Sequence, residues 1–104
     1  MNKAILEFST QIKELYKDKD NIENIIVYGS GARGDYKQES DIDILIVLKD
    51  FENFWEEFKK ISKIASSVSL KYDVVISALP VKAEEYASKR SPLMINVRRE
   101  GILV

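Results

Sequence analysis

Hydrophobic positions along the chain follow two periods in turn. Near the N-terminus Ile5, Phe8, Ile12 and Leu15 recur at three- and four-residue steps between charged residues, which predicts an amphipathic helix over 3–18. The polar cluster Lys17 to Asn21 reads as a solvated loop, and Ile22 and Ile25 lead into a first strand at 24–28. A second apolar run, Ile42 to Leu48, is apolar at consecutive positions, as in a central strand buried on both faces. Phe51, Phe54, Trp55, Phe58, Ile61, Ile64, Ala65 and Val68 then return to helical spacing, with Asp50 as the expected N-cap and the aromatic stripe expected in the core. Lys71 to Ser77 reads as a third strand, ended by Pro80. The helix before it is long enough for a right-handed crossover, so the second and third strands should be parallel. Lys82 to Lys89 reads as a short helix. A last helix follows, with Ser91 as N-cap, Pro92 in its first turn, Leu93, Met94 and Val97 on its apolar side and Gly101 as its stop.

Between the first two strands lies Gly29-Ser-Gly-Ala-Arg-Gly34, and Asp41 and Asp43 open the second strand. Residues i and i+2 of a strand share a face, so both carboxylates project together, and antiparallel strands would set them beside the glycine turn. The glycine run also satisfies G-x-G-x-x-G. However, Asp35 to Ser40 is too short for the crossover helix that a dinucleotide fold requires. A Walker A loop fails as well, because Asp35 and Tyr36 follow Gly34 where Lys and Ser/Thr would be needed.

Composition narrows the chemistry. With 104 residues, 16 basic against 17 acidic, the chain suits one compact domain and no charge-driven contact with nucleic acid. It has no cysteine and no histidine, which removes disulfides, thiol nucleophiles, zinc sites built on those residues and imidazole catalysis. Catalysis would have to run on carboxylates, Lys, Tyr, Ser, backbone groups and a hard cation, for which Mg²⁺ is suited. No signal peptide or membrane-length apolar run is visible, so the expected location is the cytoplasm, without membrane attachment. Arg98 and Arg99 read either as solvated basic residues or as contacts to a partner or nucleotide.

Gly29-Ser30, ten residues, then Asp41-Ile42-Asp43 resembles the signature of nucleotidyltransferases related to the DNA polymerase β palm. The flanks Ala32-Arg33-Gly34 and Ser40-Asp41-Ile42-Asp43 are similar to the minimal nucleotidyltransferases, or MNT proteins. The ending Pro92 to Val104 resembles the tails of MNT proteins encoded beside HEPN partners, so the resemblance covers most of the chain. It implies one nucleotidyltransferase domain over 1–104, of α/β (α+β) class, with a small mixed sheet packed with helices. By the same resemblance Asp41 and Asp43 are catalytic and hold two Mg²⁺ ions, and a third carboxylate is carried onto Asp73 as metal ligand and general base. Gly29, Ser30, Arg33 and Ser40 would bind the nucleotide, with ATP as the substrate.

By the same resemblance larger relatives carry a further acceptor-binding domain, and none is expected here. The acceptor site is therefore expected from another subunit, in a homo- or hetero-oligomer. The resemblance implies an antitoxin that transfers AMP to a tyrosine of a HEPN ribonuclease toxin. Three alternatives stand beside it: an antitoxin that neutralises by binding alone, an enzyme that modifies a small hydroxylated molecule with the help of a partner subunit, and a structural subunit that binds no nucleotide.

Overall fold

A computed structural model describes residues 2–29 and 41–104. The order is α1 (Lys3–Tyr16), β1 (Ile22–Tyr28), β2 (Asp41–Leu48), α2 (Phe54–Tyr72), β3 (Val75–Lys82), α3 (Ala83–Tyr86), α4 (Pro92–Glu100) and β4 (Ile102–Leu103). The four strands form one mixed sheet in the order β3-β2-β1-β4. β1 runs antiparallel to β2 and β4, while β2 and β3 are parallel, as the crossover length requires. The α/β class and small mixed sheet expected from the sequence are those observed.

Strand alternation divides the core into two layers. On one face Ile25, Val27, Ile42, Ile44, Ile46, Leu48, Ile76 and Ala78 pack under α1 and α2. On the other, Ile26, Leu45, Val47 and Val81 pack under Met94 and Val97 of α4. β2 is therefore buried on both sides from Ile44 onward.

Helix ends explain several departures from the predicted boundaries. α1 is capped by Asn2, whose side chain accepts from the N–H groups of Ala4 and Ile5. Its buried stripe runs Ile5, Phe8, Ile12 and Tyr16, whereas Leu15 is partly exposed. The cap of α2 is Asn53, not Asp50; the Asn53 side chain accepts from the Glu56 N–H. Asp50 instead accepts from the Phe51 N–H and pairs with Lys82 at 3.5 Å. α2 also runs further than its apolar spacing shows, to Tyr72, so the third strand begins at Val75. That strand continues through Pro80 to Lys82, because β3 is an edge strand and a missing outward N–H costs no ladder bond.

The aromatic stripe of α2 is not core. Glu57, Ile61, Ala65 and Val68 take the inward positions. Trp55 is 68% exposed, and Phe54 and Phe58 are half-buried. Ile61, Ala65 and Val68 belong to the predicted stripe and are core as expected; in the first turns Glu57 and not the aromatic residues points inward, which apolar periodicity does not reveal. Glu57 is admitted to the interior by Tyr16, whose hydroxyl donates to its Oε1 at 2.7 Å, and Lys60 approaches Oε2 at 3.5 Å.

α3 is one turn, shorter than the predicted 82–89. α4 starts as predicted, with the Ser91 side chain accepting from the Met94 N–H and Pro92 in the first turn. Gly101 ends it in an extended conformation, φ −70° and ψ 154°. A side chain there would collide with Ile26 and the Val97 carbonyl, so the glycine permits close approach and not a left-handed turn. The chain then adds β4, an unpredicted two-residue strand beside Ile26 and Val27. Among the described residues no helix is long and apolar enough to cross a membrane.

Replacing Tyr16 by Phe removes the donor to a buried carboxylate. We expect a loss of roughly 1–3 kcal/mol, measured as a lower urea midpoint at an unchanged slope.

Candidate active site

The site forms where β1 ends and β2 begins. Tyr28 pairs with Asp43, and Gly29 follows at φ +70°, a conformation that glycine adopts at no steric cost. A Cβ built on Gly29 would stand 3.1 Å from Asp43 Oδ2, so the turn lies directly against that carboxylate. The juxtaposition expected from antiparallel strands is thus present at Gly29. Ser30, Arg33 and Ser40, the other expected nucleotide contacts, lie outside the described residues.

Asp41 and Asp43 alternate with buried Ile42 and share their face with Leu45 and Val47. They occupy the end of that face, and Asp41 is exposed while Asp43 is half-buried. Burial pushes the Asp43 carboxyl above the ordinary aspartate range, and the neighbouring Asp41 charge adds to it. Burial likewise raises the Tyr28 phenol, reinforced by Asp43. The electrostatic character of the site is therefore crowded negative charge next to a backbone turn, an arrangement that a bound cation would relieve.

Asp73 requires a correction of placement. It lies on no strand: it is the C-cap of α2, exposed, with φ 53° and ψ 49°, and its N–H donates to the Ser69 carbonyl. β3 registers Val75 against Asp41 and Ser77 against Asp43, so Asp73 precedes the level of Asp41 by two residues at the same end of the sheet. Among the described residues no three acidic side chains gather closely enough to hold a metal ion together. The helix overran its apolar pattern because Ser69, Leu70, Lys71 and Tyr72 continue it while only partly buried or exposed.

Two neighbours were missed by sequence reasoning. Across the sheet Ser77, Asp43 and Tyr28 form one row, which places a hydroxyl-bearing residue on either side of the carboxylate. Tyr28 could have been found from its parity with Ile26 once the turn was located. Ser77 becomes visible only with the β2–β3 register.

A strand pair that sets paired carboxylates against a glycine turn defines a nucleotidyl- or phosphoryl-transfer scaffold. Residues 10–102 match the family described as Polymerase beta, Nucleotidyltransferase. The chain belongs to this family of nucleotidyltransferases. It is 47% identical over 78 residues to a Methanocaldococcus jannaschii protein provisionally named a protein adenylyltransferase, covering 75% of this chain and 76% of that one. The structure is similar to one provisionally named a minimal nucleotidyltransferase, with TM-score 0.59 and 19% identity, over 100% of this chain and 97% of the other. It also shares its fold with a chain from the complex of a tri-AMPylated Shewanella oneidensis HEPN toxin with its MNT antitoxin. That match has TM-score 0.52 and 16% identity and covers 96% of this chain and 70% of the other.

Asp43 in the metal-free protein is destabilising when ionised, because its folded pKa lies above its unfolded one. Asp43→Asn should therefore raise the unfolding temperature in chelator at pH 7. The advantage should shrink as pH falls from the raised folded value to the ordinary aspartate value, below which the wild-type carboxyl is protonated in both states. Thermal melts across that range test the sign. Gly29→Ala should lower stability by about 1 kcal/mol or more through its positive φ, with further loss from contact with Asp43; a denaturant titration measures it.

Proposed function

We propose that this protein is a Mg²⁺-dependent nucleotidyltransferase that transfers AMP from ATP to a tyrosine of a HEPN ribonuclease toxin and so acts as its antitoxin. The observation that carries the reading is Gly29 against Asp43 at the mouth of an Asp41–Asp43 strand. The adenylyltransferase name of the Methanocaldococcus relative and the AMPylated HEPN toxin of the structural neighbour support AMP as the transferred group and a HEPN acceptor.

The donor set fits the cation. Asp41 and Asp43 offer hard oxygen ligands from one face, and their mutual repulsion favours a bound divalent ion. Asp73 caps α2 at the same end of the sheet and does not gather with them among the described residues, so its part as a further oxygen donor rests on the family resemblance alone. When bound, Mg²⁺ neutralises phosphate charge and acidifies the acceptor hydroxyl.

The chain's own residues supply orientation and proton transfer. The backbone at Gly29, with Ser30, holds the phosphates of ATP, aided by Arg33 and Ser40. Asp73 receives the phenolic proton. The phenolate oxygen bonds to the α-phosphorus as the bond from that phosphorus to the bridging oxygen breaks, and pyrophosphate leaves with the electron pair. AMP on the toxin adds bulk and negative charge beside an RNA-cleaving centre, which repels the RNA backbone.

Intact-mass analysis tests this reading. The protein is incubated with Mg²⁺, each NTP in turn and the protein encoded by the neighbouring reading frame. Whole AMP increments on that protein are expected with ATP. They should be abolished by Asp41→Asn with Asp43→Asn, and reduced by about 10²-fold or more in rate by Asp73→Asn. Suppression of the partner's ribonuclease activity without any increment, by wild type and double variant alike, overturns the catalytic reading.

A further inference from the structure

The face that carries Asp41 and Asp43 is covered unevenly. α4 lies over Ile26, Leu45, Val47 and Val81. On β3, the three positions nearest the carboxylates stay open: Val75 is 50% exposed, Leu79 40%, and Ser77 lies exposed between them. Adjacent strands are about 4.8 Å apart, so Ser77 borders Asp43 directly. Gly29 borders Asp43 from the opposite flank, the β1 side.

In-line transfer requires the attacking and leaving oxygens on opposite sides of the phosphorus. If the phosphates are held on the Gly29 flank, pyrophosphate departs toward β1 and the acceptor enters over β3. The surface there suits a particular chemistry. Val75 and Leu79 offer apolar contact, and a polar hydroxyl residue stands between them. A phenol, with an apolar body and a polar tip, complements it.

Around the β3 edge, on the α2 side of the sheet, Leu79 and Phe58 line a groove of about 380 Å³ between β3 and α2. Phe58 lies 5.8 Å, ring centre to ring centre, from Trp55, which is 68% exposed, and Phe54 stacks on Phe58 at 5.7 Å. An exposed tryptophan backed by two half-buried phenylalanines suits an interaction surface, and tryptophan is prominent among binding hot spots. Among the described residues β3 is an edge strand, and that edge is poorly suited to pair with another strand. The outward amide of Ile76 already donates to Ser69 Oγ at 3.0 Å, and four residues on Pro80 has no amide hydrogen. The edge therefore favours a partner that docks through side chains over one that adds a strand.

We propose that the acceptor docks on the β3 side: the tyrosine ring lies on Val75 and Leu79 with its hydroxyl toward Asp43, and the protein segment bearing it wraps around the β3 edge to Phe58 and Trp55. The proposal rests on the nucleotidyl-transfer reading above and adds where, and in what form, the acceptor is bound.

The test uses ¹⁵N-labelled full chain and two probes. AMP-PNP with Mg²⁺ is added first, then a short peptide with one tyrosine flanked by leucines, and separately the same peptide with alanine for tyrosine. AMP-PNP is expected to shift the amides of Gly29 and of Asp41 to Asp43. The tyrosine peptide is expected to shift Val75 to Leu79 and the Trp55 indole, with the alanine peptide binding about tenfold more weakly. Leu79→Ser and Trp55→Ser should each weaken tyrosine-peptide binding by about tenfold and leave AMP-PNP affinity unchanged. Val75→Thr, nearly isosteric and half exposed, supplies a second variant should Leu79→Ser disturb the spectrum. Normal AMP-PNP binding with no peptide shifts on β3, or with affinity untouched by these variants, overturns the acceptor surface alone. Failure to bind AMP-PNP overturns the transfer reading and the acceptor surface with it.

Discussion

The antiparallel register of β1 against β2 is the constraint on which the rest depends. Tyr28 opposite Asp43 sets Ile42, Ile44, Ile46 and Leu48 under α1 and α2, and leaves Asp41 and Asp43 on the other face. A slip of one residue would turn both carboxylates into the larger core, at a cost of several kcal/mol for each unpaired ion. The apolar run of β2 thus does more than fill the interior. Being buried on both faces from Ile44, it makes Asp43 the innermost position at which a charge can still reach solvent.

That placement gives the site its character. Asp43 is partly desolvated and lies beside the Gly29 turn, with the Asp41 charge two residues away on the same face. Folding energy from the double-sided core sustains a local arrangement that is unfavourable by itself, which is how strained or charged sites persist. α4 closes the lower part of this face and stops short of the carboxylates, so one end of the sheet is packed and the other stays accessible. The same division exposes the β3 edge and the aromatic start of α2.

Most element identities were legible because period and burial coincide. The stripe Ile5, Phe8, Ile12 and the alternation around Asp41 and Asp43 each admit one conformation. The pairing of the glycine turn with Asp43 was legible too, since antiparallel neighbours joined by a connection bring those positions together. Among what failed were the termini of α2, besides the reach of β3 through Pro80, the length of α3 and the added strand β4. Asn53 and Asp50 are equally good caps by type, and the residues Ser69 to Tyr72 carry no marker that separates a last helical turn from a strand entrance.

The sequence by itself therefore determined the alternation of helices and strands, the shared face of Asp41 and Asp43, and the chemistry open to a chain without histidine or cysteine. These follow from local periodicity and side-chain type. Tertiary structure alone decided that Asp73 caps a helix, that Ser77 borders Asp43, and that Glu57 enters the core while Trp55 does not. Each of these depends on how one element is rotated or registered against another. Such placements are settled by the summed packing of distant residues, which no short stretch of chain contains.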